Sequence, residues 1–181
     1  MNMQTPSKRI ALVTGANKGL GFEIARQIGR TGVIVLLGAR NKAAGEEAAG
    51  KLAAEGIDAH FIAIDVVDYA SIEAAAGSII SGFGRLDILV NNAGISDPFD
   101  GPVLTARLEA VERVLRTNFL GALAVTQAML PLLRKSKSAR IVNVSSGLGS
   151  LAQNGDPSYP FAAAKVIGYS ASKAALNMLT V

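Results

Sequence analysis

Thr14-Gly15-Ala16-Asn17-Lys18-Gly19-Leu20-Gly21 directly follows the apolar run Ile10–Val13 and opens a helix-length segment, Leu20–Arg30. Glycines between a buried strand and a helix let the backbone approach a pyrophosphate, whose charge is met by the helix N-terminus. The spacing is G-x-x-x-G-x-G, so it departs from the G-x-G-x-x-G fingerprint. The Gly-Lys-Ser/Thr ending of an NTPase phosphate loop is missing.

Working outward, further short runs rich in Val, Ile and Leu lie at Val33–Leu37, Ala59–Ile64, Leu86–Val90 and Ala139–Val144. Continuous apolar runs of this length are expected of parallel strands covered on both faces. Between them lie the helix-length segments Lys42–Glu55, Tyr69–Phe83 and a long one, Thr105–Arg134. Strand–helix alternation predicts βαβ units and an α/β, doubly wound parallel sheet. Gly147–Lys165 holds Gly, Pro, Asn and Asp without periodicity and reads as a long loop, after which Gly168–Val181 is helical again. Five strands are visible where the 3-2-1-4-5-6 order has six. The sequence therefore reads as one domain over 1–181, incomplete at its C-terminal end, with Leu176 and Leu179 expected to be exposed.

Composition removes several classes of chemistry. The chain of 181 residues is 50% hydrophobic and has no Cys and one His. That excludes a disulfide scaffold, a Cys-ligated zinc site, an iron–sulfur cluster and a Cys nucleophile, and no metal site is expected. A net charge of +4 from scattered basic residues gives no nucleic-acid footprint. Met1–Ser7 is short and polar, unlike a secretory signal, and Phe119–Leu133 is shorter than a bilayer span. A cytoplasmic location without membrane or nucleic-acid partners is expected.

The strand ends carry the chemistry. Gly15, Asn17, Lys18, Gly19, Leu20 and Gly21 form the phosphate turn. At the end of the second strand, where an acidic residue would bind a ribose 2′-hydroxyl, the chain reads Gly38-Ala39-Arg40. Arg40, with Lys18 beside it, suits a 2′-phosphate, which favours NADP over NAD. Asp65-Val66 closes strand three, where Asp65 can accept from an adenine amine. Asn91-Asn92-Ala93-Gly94 closes strand four, where Ala93 and Gly94 leave room for a flat ring. Asn118 falls on the apolar stripe Leu108, Val111, Leu115, Ala122, Val125, Met129, Leu132, and a buried amide needs partners. Tyr169 and Lys173, at i and i+4, share a helix face, where a cation favours the phenolate and makes the phenol a usable acid/base.

Taken in order, Thr14-Gly15…Gly19-Leu20-Gly21, Asp65-Val66, Asn91-Asn92-Ala93-Gly94, Asn118, Ser145-Ser146 and Tyr169…Lys173 resemble the short-chain dehydrogenase/reductase family over essentially the whole chain, and its carbonyl-reductase-like members in particular. The resemblance implies a Rossmann-type fold and NAD(P)-dependent interconversion of a carbonyl and an alcohol. It implies Tyr169 as general acid/base and Lys173 as its activator and a ribose ligand. It implies Ser146 (with Ser145 as the alternative) orienting the substrate oxygen, and Asn118 supporting a water relay. It also implies pairing of subunits through the helices carrying Asn118 and Tyr169. Ser146 and Tyr169 are 23 positions apart, a long connection that hints at a bulky or hydrophobic carbonyl substrate. The competing readings are a catalytically silent dinucleotide-binding or interaction protein lacking a substrate pocket, and an epimerase or dehydratase using the same Tyr/Lys pair. Methyl transfer would leave that pair unexplained.

Overall fold

The computed structural model describes residues 8–181, so the reading of Met1–Ser7 lies outside the described residues. Strands β1 (Ile10–Thr14), β2 (Ile34–Ala39), β3 (Ala59–Ala63), β4 (Ile88–Asn91) and β5 (Arg140–Asn143) form one sheet in the order β3-β2-β1-β4-β5. Every neighbouring pair is parallel, with Leu12 opposite both Leu36 and Leu89. Order and direction are those of a doubly wound α/β fold, as the alternation of elements predicts.

Strand pleating sends successive side chains to opposite faces, and both faces are covered. Ile10, Leu12, Leu36 and Leu89 pack against α3 (Tyr69–Phe83) and α5 (Ala122–Leu133), through Ile72, Ile79, Val125 and Met129 among others. Ala11, Val13, Val35, Leu37 and Val90 pack on the other face against α1 (Gly19–Arg30) and α2 (Lys42–Ala54), through Ala25, Ala48, Ala49 and Leu52. Buried Asp87 ties the inner strands together, accepting from the Ile10 N–H at 2.9 Å, from Arg85 Nε at 3.1 Å and from Ser136 Oγ. Burial works to raise the Asp87 pKa, but these hydrogen bonds outweigh it and hold the carboxyl below its usual range. Of these donors only Arg85, two residues before Asp87, is near it in sequence; Ile10 and Ser136 reach it through the fold.

Three expectations need correction. The long helix begins at Leu108, not Thr105, as α4 (Leu108–Leu115), and a π turn over Arg116–Gly121 joins it to α5. A π turn inserts a residue into the helical repeat and shifts its phase. The buried stripe therefore runs Ala110, Val114, Asn118, then Ala122, Val125, Met129 and Leu132, while Leu108 is 75% exposed. The Gly147–Lys165 segment contains a 3₁₀ turn, Gly147–Gly149, and a one-turn helix α6, Leu151–Asn154, whose Gln153 N–H is capped by Ser150 Oγ at 3.3 Å. The last helix, α7, spans Ile167–Thr180. Its Leu176 is fully buried, against expectation, because α7 lies on α4, the π turn and the Gly147–Gly149 turn.

Candidate active site

The glycine turn works through backbone geometry. Gly15 and Gly19 have φ of 65° and 59°, the left-handed region that suits glycine. Gly21 is needed for a different reason, since a Cβ there would sit 2.4 Å from Asn92 Nδ2 and 2.5 Å from Gly15 O. Lys18, at the N-cap of α1, makes no side-chain capping bond, so no side chain of its own occupies the helix N-terminus. A cleft of about 630 Å³ opens there, at the C-terminal ends of the strands. Its lining includes Gly15, Asn17, Lys18, Gly19, Leu20, Gly21, Arg40, Asp65, Val66, Ala93 and Gly94, all expected from the sequence. Arg40 and Lys18 are exposed, and among the described residues neither has an ion-pair partner. A turn with glycine at positions 15, 19 and 21, a helix N-terminus without a side-chain cap, and two cations with no ion-pair partner among the described residues fit a dinucleotide carrying an extra phosphate.

Asn91 behaves differently from the other expected cleft residues. It is 4% exposed, and its amide donates to Thr126 Oγ1 at 2.9 Å and Asn143 Oδ1 at 2.8 Å. Asn92, the next residue, lines the cleft instead, because successive residues of an extended chain face opposite ways. Its Nδ2 donates to Thr14 O at 2.9 Å, and buried Thr14 Oγ1 accepts from the N–H groups of Asn92 and Ala93, both at 3.0 Å. Thr14 thereby joins the end of β1 to the exit of β4. In the sequence Thr14 stands at the head of the glycine turn; its role in joining the two strand ends comes from the sheet.

A second cavity, of about 460 Å³, holds Tyr169 and Lys173 together with Ser145, Leu148, Val144 and Val166. It shares Leu20, Asn92, Gly94 and Ile95 with the first, so the glycine-turn cleft and the Tyr/Lys cavity are contiguous. Lys173 is 5% exposed, its Nζ donates to Val144 O at 2.7 Å, and it lies 5.7 Å from the Tyr169 ring centroid. Burial pushes the Lys173 pKa down from the ordinary lysine value.

The adjacent serines divide their hydrogen-bonding roles. Ser145 Oγ has two acceptors within reach of its single proton, Asn177 Oδ1 and, at 3.4 Å, Lys173 O. Ser146 Oγ accepts from the Leu148 N–H at 3.2 Å and caps the 3₁₀ turn, and its own O–H has no acceptor among the described residues. Ser145 lines the Tyr/Lys cavity, whereas Ser146 is not part of its lining.

Asn118, 1% exposed, has the partners that burial demands. Its Oδ1 accepts from the Ile95 N–H at 2.8 Å, while its Nδ2 donates to Ile95 O and Ser172 Oγ, both at 3.0 Å. Asn118 therefore grips Ile95 as a neighbouring strand would, and ties it to α7.

An apolar recess of about 410 Å³ lies beside the Tyr/Lys cavity, sharing Leu148 and Val166 with it and bounded by Leu151, Ile167 and Ala171. The long Gly147–Lys165 connection builds one of its walls. Among the described residues no His/Cys/Asp/Glu cluster could hold a metal, and no helix is long and apolar enough to cross a membrane.

Comparison with known proteins agrees with this geometry. The short chain dehydrogenase family model matches residues 9–181. The chain belongs to that family. It is 40% identical over 183 residues to (−)-isopiperitenone reductase of Mentha piperita, covering 80% of this chain and 58% of that protein. It is 43% identical over 148 residues to carbonyl reductase (NADPH) 1 of Sus scrofa, covering 81% of this chain and 50% of that protein. A gluconate 5-dehydrogenase from Burkholderia cenocepacia, solved with NADP and tartrate, superposes with a TM-score of 0.83 at 29% identity, over 95% of this chain and 63% of that one. The short chain dehydrogenase described here thus spans about half to two thirds of the length of these relatives.

Proposed function

We propose that this short chain dehydrogenase is an NADP(H)-dependent oxidoreductase interconverting a carbonyl and an alcohol on a small molecule. The observation that carries the reading is the continuity of the glycine-turn cleft with the cavity holding Tyr169 and Lys173. Gly15, Asn17, Gly19, Leu20 and Gly21 would hold the pyrophosphate, Arg40 and Lys18 the 2′-phosphate, and Asp65 and Val66 the adenine. Asn92, Ala93 and Gly94 would bound the nicotinamide end. A bound nicotinamide supplies or accepts the hydride.

The chain's own groups handle the oxygen and its proton. In the reducing direction the Tyr169 hydroxyl donates its proton to the carbonyl oxygen as the carbinol forms, and in the oxidising direction its phenolate accepts that proton. Lys173, fixed by Val144 O, places a positive charge beside Tyr169. We assign the donor to the developing alkoxide to Ser146, whose O–H has no acceptor among the described residues, rather than to Ser145, which lines the cavity but has Asn177 Oδ1 and Lys173 O as acceptors. Asn118 supports proton transfer by holding Ile95 and Ser172 in place, since both of its N–H donors are engaged. The apolar recess beside Tyr169 favours a carbonyl substrate with an apolar body.

Tyr169→Phe tests the assignment. NADPH consumption with a panel of ketones, aldehydes and quinones should fall by at least about 100-fold, on the scale of a lost acid/base group. NADPH affinity, measured by fluorescence titration, should stay within about twofold of wild type, because only proton transfer is removed. Undiminished turnover in Tyr169→Phe would refute the role of Tyr169.

A further inference from the structure

The N-terminus of α7 is not capped by its own sequence. Val166 occupies the N-cap position and makes no side-chain capping bond. The N–H groups of Gly168 and Tyr169 are instead taken by Asp100, from a loop almost seventy residues earlier in the chain. Asp100 Oδ1 accepts from Gly168 N at 2.9 Å and Oδ2 from Tyr169 N at 2.8 Å, so both carboxylate oxygens are spent on the turn that carries the phenol. The neighbouring Gly101 O accepts from Ile167 N at 3.0 Å. Gly168 is closely packed here: a Cβ on it would lie 3.0 Å from Val111 Cα and 3.2 Å from each Asp100 oxygen.

The loop that carries Asp100 is itself held in place. Asp97 accepts from Phe99 N at 3.0 Å and from Arg113 of α4 at 2.9 and 3.0 Å. Arg107 lies 4.1 Å over the Phe99 ring. Upstream, the same segment begins at Asn92 and Gly94, which line both cavities, and passes through Ile95, which Asn118 grips. One stretch of chain therefore runs from the cofactor-facing end of β4 to the first turn of the Tyr169 helix.

We propose that Asp100 is the positioning residue for Tyr169. By capping α7 from the loop after β4, it fixes the distance between the phenol-bearing turn and the strand end that faces the cofactor. A charged carboxylate on helix N-terminal N–H groups is a strong, charge-assisted contact. Positional errors of about 1 Å at a reacting group cost on the order of 100-fold in rate. The inference rests on the assignment of Tyr169 as acid/base, and its test separates the two.

The test compares Asp100→Ala, Asp100→Asn and Asp100→Glu in the full chain. Hydrogen–deuterium exchange of the Gly168 and Tyr169 amides, read without substrate, should accelerate by at least about tenfold in Asp100→Ala, because both amides lose their acceptor. Asp100→Asn, which keeps one acceptor oxygen and ranks with Asp as a cap, should restore about half or more of that protection. Asp100→Glu keeps the charge but displaces it by one methylene, and should behave like alanine; it also serves if Asp100→Ala does not fold. In turnover, Asp100→Ala should lower kcat by about tenfold or more with NADPH affinity nearly unchanged. In a Tyr169→Phe background the same change should have no further effect, which a merely structural loss would not reproduce. Unaltered exchange in Asp100→Ala, or equal kcat losses in both backgrounds, overturns the proposal. Exchange that changes as expected in a wild-type chain without turnover upholds the cap and refutes the enzymatic assignment instead.

Discussion

The proposed preference for NADP rests on Arg40. It lines the cleft at the end of β2, is exposed, and has no acidic partner among the described residues, so a 2′-phosphate is the counter-charge it can still acquire. A hydrogen bond to a charged group contributes about 1.5–3 kcal/mol, or roughly 10- to 100-fold in affinity. Arg40→Ala should weaken NADPH binding by that factor and leave NADH binding within about twofold, as read by fluorescence titration. Equal loss for both cofactors would remove Arg40 from phosphate recognition. Arg40 was legible in the sequence because it occupies the position where an acid is expected. Asn92 was less so: two adjacent asparagines close β4, and only the pleat shows that Asn91 faces Thr126 and Asn143 while Asn92 faces the cleft. Asp100 carried no local signal, since its partners lie in α7.

At the scale of elements, α2 shows how one helix uses two glycines in opposite ways. Gly45 is buried, and a Cβ there would lie 2.2 Å from the Phe61 ring of β3, whereas Gly50 is exposed with nothing within 4 Å. Gly45→Ala should destabilise the protein by about 1–3 kcal/mol through overpacking. Gly50→Ala should stabilise it by about 0.5–1 kcal/mol through reduced backbone entropy in the unfolded chain. Thermal denaturation should therefore move Tm in opposite directions for the two variants, and a parallel shift would contradict the packing of α2 on β3. The β-strands and most helices were legible because apolar runs and Ala/Glu/Lys-rich segments alternate cleanly. The π turn at Arg116–Gly121 was not, because a single inserted residue changes the phase of a stripe without changing its composition. The short helix α6 was hidden for a similar reason: one turn, capped by Ser150, is too brief to establish a period.

For the whole molecule, a parallel sheet of order β3-β2-β1-β4-β5 brings the ends of β1, β2 and β4 to one edge, and α7 returns to the same edge with Tyr169 and Lys173. Residues far apart in sequence thus meet across two contiguous cavities, an arrangement that the order of motifs implied but could not place in space. Ile141 and Val142 of β5 are 40% and 47% exposed, so the central strands are the better covered part of the sheet. We propose that these cavities together hold a nicotinamide and a carbonyl carbon close enough for hydride transfer between them. Incubation with NADPH carrying deuterium at the transferable nicotinamide C4 position, followed by mass spectrometry and NMR of the alcohol product, tests that claim most directly. One deuterium is expected on the carbinol carbon of the alcohol formed from a ketone with an apolar body, at a rate that collapses in Tyr169→Phe. An alcohol whose carbinol hydrogen came from solvent, or NADPH bound with no ketone, aldehyde or quinone reduced, would contradict it.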